Sequence, residues 1–166
     1  MKKIAVAAVA LAAMTGSALA ADIYVPPVAP PAPPPVAPAF SWAGSYAGPY
    51  AGYWFGPNVW LAGVTIGHNF VSGSLVYGVS GRLGWIATSG FDVGLDARAG
   101  VALGSTGRAL LYAEAGVAFS PGPGLYIPVG AGLEFAVTNS LSLFAEAKVP
   151  LLAGGVQVTA GLNWHF

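Results

Sequence analysis

Cysteine is absent from all 166 residues. That excludes disulfides, thiolate metal sites and a lipid-modified N-terminal cysteine. Charge is scarce: six Lys or Arg and six Asp or Glu make up 7% of the chain, where a soluble domain carries ~25%. Past residue 21 no stretch reaches the ~18 consecutive apolar residues of a membrane-spanning helix. A chain this poor in charge and 55% hydrophobic suggests a membrane. Without a spanning helix, the remaining membrane-compatible form is a closed barrel, because only these two structures satisfy every backbone group in lipid.

The N-terminus reads as a secretory signal peptide over 1–20. Lys2 and Lys3 form its charged start, Ile4 to Met14 its apolar stretch, and Ala18-Leu19-Ala20 an A-x-A cleavage site. Cleavage leaves four basic and six acidic residues, a net charge of −2. That balance offers no basic patch and argues against a nucleic-acid partner. Residues 21–41 form a periplasmic leader dominated by a Pro/Ala tract at 22–39. Such a tract favours extended polyproline II and cannot build a core. It reads as a spacer, or as a docking strip for a periplasmic or cell-wall partner.

From Trp42 on, short turn signals separate eight strand-like segments: 44–55, 59–70, 74–86, 91–103, 108–119, 125–137, 141–149 and 155–166. Each is long enough to cross a bilayer as a tilted strand. The first is the weakest, with Pro49 inside it and two mixed faces. Pro128 in the sixth also weakens a ladder.

What the segments share is alternation. Phe91, Val93, Leu95, Ala97, Ala99, Val101 and Leu103 point one way; Asp92, Gly94, Asp96, Arg98, Gly100 and Ala102 point the other. Past Asp22 the chain has nine charged residues: Arg82, Asp92, Asp96, Arg98, Arg108, Glu114, Glu134, Glu146 and Lys148. All nine fit one phase of this period-2 pattern. The opposite phase is apolar, with aromatics gathered near segment ends: Trp60, Trp85, Phe91 and Phe119 toward one rim, Phe70, Tyr77, Phe135, Trp164 and Phe166 toward the other. That is the two-girdle arrangement of membrane barrels. The predicted fold is all-β, an eight-stranded antiparallel up-and-down transmembrane β-barrel over 42–166, apolar outside and polar inside.

The last segment, Val-Gln-Val-Thr-Ala-Gly-Leu-Asn-Trp-His-Phe, ends with Leu162, Trp164 and Phe166 at every second position. It resembles the C-terminal signal that bacterial outer-membrane barrels present to their assembly machinery. Phe40-Ser-Trp-Ala-Gly-Ser-Tyr, Leu110-Leu-Tyr-Ala-Glu-Ala-Gly-Val-Ala-Phe, Val129-Gly-Ala-Gly-Leu-Glu-Phe-Ala-Val-Thr and Gly161-Leu-Asn-Trp-His-Phe make residues 40–166 similar to the small outer-membrane barrel family that includes the opacity-type and OmpA-like barrels. The resemblance implies location in the cell outer membrane, contact with its lipid, and both chain ends in the periplasm. The outside loops then fall near 56–58, 87–90, 120–124 and 150–155. They are only a few residues long, which departs from family members that recognise surfaces through long loops.

Eight strands enclose a space just wide enough to be filled by side chains. Hairpin geometry places Arg98 near Glu114, Arg82 beside Asp92 or Asp96, and Arg108 diagonal to Glu134, with Glu146 and Lys148 two apart on one face. The expected role is a salt-bridge ladder that plugs the barrel. The alternative is a polar lining for a narrow ion or water path. No enzyme is expected: His165 and His68 read as rim residues, Ser45 and Ser89 as lying at the other end or in a loop, so that no Ser/His/Asp set converges. Asp92 and Asp96 lie ~13 Å apart along a strand, too far to share a metal. No cofactor motif is present.

Overall fold

The computed structural model describes residues 40–166. The signal peptide and nearly all of the leader lie outside the described residues. Eight strands follow: β1 Gly44–Phe55, β2 Val59–Ser72, β3 Leu75–Ile86, β4 Gly90–Leu103, β5 Ala109–Ser120, β6 Gly124–Ala136, β7 Leu141–Leu151 and β8 Val156–His165. Each pairs antiparallel with the next, and β8 returns to β1, so the sheet closes. The mixed first segment is a full member, paired along both edges. Its proline interrupts one ladder: β1–β8 pairing skips from Ala47↔Trp164 to Tyr50↔Gly161. Pro128 likewise opens a gap in β5–β6, between Ala115↔Val129 and Ala118↔Tyr126, and faces Pro150 of β7 inside the barrel.

The connections are short. At the terminal end, where the described chain begins and ends, Gly73 (φ +61°) turns β2 into β3 within two residues. At the other, loop end, 56–58, 87–89, 121–123 and 152–155 join the strands. There Leu152 is 81% exposed at φ +76°, a left-handed conformation that costs a side-chain-bearing residue about 1–2 kcal/mol.

The faces are inverted relative to a soluble sandwich. Leu83, Leu95, Leu133 and Leu143 point out and are more than half exposed. Aromatics ring both ends of this surface, including Trp60 (69%) and Trp85 (63%) at the loop end and Trp164 (56%) and Phe166 (72%) at the terminal end. The buried side chains are instead Arg82, Asp92, Asp96, Arg98, Glu114, Glu134 and Lys148, together with tyrosines and glycines.

Glycine spacing explains how so small a barrel holds them. Large inward side chains face glycines across the strands: Tyr46 faces Gly67, Tyr50 faces Gly63, Tyr112 faces Gly132 and Phe144 faces Gly161. A methyl group on Gly67 or Gly132 would collide with the facing tyrosine ring. Elsewhere the strands themselves are close: a methyl on Gly48 of β1 would run into the Leu162 carbonyl of β8, with the Asn163 Cα at 3.1 Å. Backbone offers no rotamer escape. Gly48→Ala is therefore expected to cost about 1–3 kcal/mol or more by overpacking the closing seam. Urea unfolding of the detergent-refolded barrel, followed by tryptophan fluorescence, measures it; an unchanged midpoint would mean the β1–β8 seam is looser than described.

The barrel interior as candidate functional site

Inward positions on a closed sheet converge, so side chains two or three strands apart can touch. The charged residues use this. Arg82 of β3 approaches both acids of β4, with Nε 3.5 Å from Asp92 and Nη1 3.5 Å from Asp96. Arg98 of β4 crosses beyond β5 to Glu134 of β6 at 3.0 Å. Lys148 of β7 crosses beyond β6 to Glu114 of β5 at 2.9 Å, touches Glu146 on its own strand at 3.0 Å, and lies 3.9 Å from Asp96. Several of these pairs are chords across the lumen.

One expected neighbour pair stands with different ion-pair partners, and one expected pairing is corrected. Arg98 and Glu114 do face each other in the β4–β5 register, yet their ion pairs go to Glu134 and Lys148. Arg108 does not reach Glu134. It stands half-buried at the terminal rim, donating to the Ala136 carbonyl at 3.3 Å and to Asn139 Oδ1 at 2.9 Å. Hairpin logic treats a sheet as flat, whereas curvature brings the inner ends of side chains together.

The interior holds five acidic side chains (Asp92, Asp96, Glu114, Glu134, Glu146) against three basic ones (Arg82, Arg98, Lys148). Neutral donors serve much of the excess. Tyr112 Oη and Thr159 Oγ1 donate to Glu146 at 3.0 and 2.8 Å. Tyr126 Oη donates to Asp92, and Asn163 Nδ2 and Ser142 Oγ donate to Glu134. Arg98 is further held by Asn69 Oδ1 at 2.9 Å and lies over the Tyr46 ring, 4.4 Å from its centroid. These polar partners share the charged phase of the sequence. That phase was the available signal for them, although their pairing was not.

Ser/His contacts also converge, against the sequence expectation. Ser45 lies opposite His68, Oγ to Nδ1 at 3.0 Å, on the exposed outer face. There two polar side chains on an apolar surface satisfy each other. Inside, Ser142 Oγ lies 2.8 Å from His165 Nε2, which is 3.4 Å from Glu134. A hydrolytic triad orients histidine through the nitrogen facing away from the serine. Here Glu134 and Ser142 share Nε2, Nδ1 has no partner, and Ser142 is wholly buried. The cluster is a hydrogen-bond knot without an accessible nucleophile. Asp92 and Asp96 both point to Arg82, and among the described residues no group of three or more His, Asp or Glu could hold a metal.

An apolar cluster stands at each mouth. At the loop end Trp54 packs with Val59, Leu61 and Ile86, its Nε1 donating to the Gly154 carbonyl at 2.9 Å. At the terminal end Trp42 packs with Val76, Leu110, Tyr112 and Ala136, its Nε1 donating to the Gly107 carbonyl at 2.7 Å, and Phe40 joins from the leader side. Between them lies a cavity of about 40 Å³, bordered by Tyr50, Arg82, Asp96, Glu114 and Lys148. At ~10–15 Å³ per water it takes about three waters.

Fold and interior define a closed, side-chain-filled, up-and-down β-barrel. Known structures share the fold. A de novo designed transmembrane β-barrel is 17% identical with a TM-score of 0.54, the match covering 76% of this chain and 99% of that one. The N-terminal β-barrel domain of Pseudomonas aeruginosa OprF is 19% identical, with a TM-score of 0.53 and coverage of 75% and 98%. Neisserial surface protein A is 14% identical, with a TM-score of 0.50 and coverage of 75% and 98%. No protein-family model and no curated protein matches the chain.

Arg98→Ala leaves Glu134 buried without its cation. Breaking one partner of such a pair costs about 3–5 kcal/mol, whereas Arg108→Ala at the rim should cost under about 1 kcal/mol. Paired urea titrations in detergent measure both. Equal losses would contradict the assignment of Arg98 to the interior chord and Arg108 to the rim.

Proposed function

We propose that this chain is an outer-membrane β-barrel protein of structural role, with a filled interior, which supports the membrane or anchors its Pro-rich leader to it. The observation that carries this reading is the inversion of faces: nearly the whole exterior wall is apolar and exposed, while the charges lie within. Lipid is the partner that such a wall fits. The signal peptide read at 1–20 and the likeness to outer-membrane barrels support the outer membrane as the location. The alternating end of β8, with Leu162, Trp164 and Phe166 outward, is proposed as the segment the assembly machinery engages. The proposed partner of the leader is a periplasmic or cell-wall component.

A narrow porin-like path is the second reading, supported by the charged border of the 40 Å³ cavity. The Trp42 and Trp54 clusters favour the filled barrel, since each covers one end of that space.

Planar-bilayer recording from the refolded mature chain, Ala21–Phe166, separates the two. The filled barrel predicts silence from protein shown to be folded by heat-shifted gel migration. Reproducible current steps that change on neutralising Arg98 or Glu114 would put the channel first.

A further inference from the structure

The clusters at the two mouths are built from different kinds of chain. At the loop end Trp54, Val59, Leu61 and Ile86 all belong to strands, and each is paired in the barrel ladder. None of them can leave without breaking the sheet. At the terminal end Phe40 and Trp42 precede β1. Among the described residues, Phe40–Trp42 makes no backbone–backbone hydrogen bond. Its hold is the Trp42 Nε1 bond to Gly107 and the packing of two rings. The joint is the first residue of β1, Gly44, which pairs with Asn69 and stands at φ +116°, a backbone conformation open to glycine and costly for other residues.

We propose that Phe40–Trp42 is a stopper that swings out of the terminal mouth about Gly44 while the strands stay closed. Its site is the pocket rimmed by Val76, Leu110, Ala136 and His165. Phe40 and Trp42 both meet the His165 ring edge-on, at 5.0 and 5.8 Å between centroids. Directly behind His165 lie Ser142 and Glu134, and then Arg98. Swinging the stopper out therefore opens the polar interior from this end only. The residues that would pull it are those of the Pro/Ala tract, joined to it through Ala39. The barrel is filled at rest, as in the reading above, but one of its two seals is detachable and tied to the leader.

The absence of cysteine makes single-cysteine reporters clean. Val76 (1% exposed) lies under the stopper, and Ile86 (2%) is itself part of the in-strand seal. In the detergent-refolded mature chain, Val76→Cys should react with a water-soluble thiol reagent faster than Ile86→Cys, despite equal burial. Adding Trp42→Ala should speed the Val76→Cys reaction roughly tenfold or more, by raising the open population, and leave Ile86→Cys unchanged. Folding is checked in every variant by heat-shifted migration, so the labelling result stands independently of conductance. Equal, slow labelling at both positions in the intact chain would overturn the proposal. So would a Trp42→Ala chain that fails to close its barrel, because a detachable stopper cannot be required by the strands.

Discussion

Closure of the backbone ladder is the constraint on which the rest of this structure depends. In lipid an unpaired N–H or C=O costs several kcal/mol, and a sheet avoids that only by leaving no edge. β8 meeting β1 supplies the last row of bonds. Once the sheet is closed, alternation assigns every side chain to one of two solvents. The outer phase becomes leucine, valine, alanine and aromatics. The inner phase must then fill a narrow tube, and among the described residues it carries all of the charge, with Arg108 alone at the rim. The few groups that break the outer rule settle locally, as His68 and Ser45 do by bonding to each other.

Filling the tube poses a volume problem and a charge problem, and glycine bears on both. Facing a large ring with a glycine lets Tyr46, Tyr50, Tyr112 and Phe144 lie flat against the wall. The same device gives Lys148 and Glu114 room at Gly130, which faces both. Long side chains can then cross the lumen and tie β4 to β6 and β5 to β7. Buried ion pairs of this kind do not necessarily stabilise relative to an apolar core. They do set which residues sit opposite one another, and a strand that slipped register by one residue would turn its own charges outward.

Much of this was legible in the sequence. The strand count, the turns and the two faces follow from period-2 alternation, and strand ends were read to within about two residues, because the burial rule in a closed sheet is strictly binary. The pairing of charges was less legible. Arg98 faces Glu114 in register but bonds Glu134, since side-chain tips converge inside a curve. Arg108 has the right phase but lies one residue before its strand, so it reaches rim carbonyls instead. The Ser142–His165–Glu134 knot is invisible to spacing because its members come from three strands. Trp42 read as the start of the barrel; its role as a seal depends on Gly44 turning the chain back over the mouth.

The central claim is that the odd-even alternation sorts side chains between lipid and a closed interior. Its most direct measurement is quenching of single-tryptophan variants, refolded into vesicles, by lipids brominated along their acyl chains. Strong quenching is expected of Trp60, Trp85 and Trp164, which stand on the outer face, and weak quenching of Trp42 and Trp54, which lie in the two mouths. Equal quenching of all five, or a chain that folds in water without lipid or detergent and leaves every tryptophan unquenched, would contradict it.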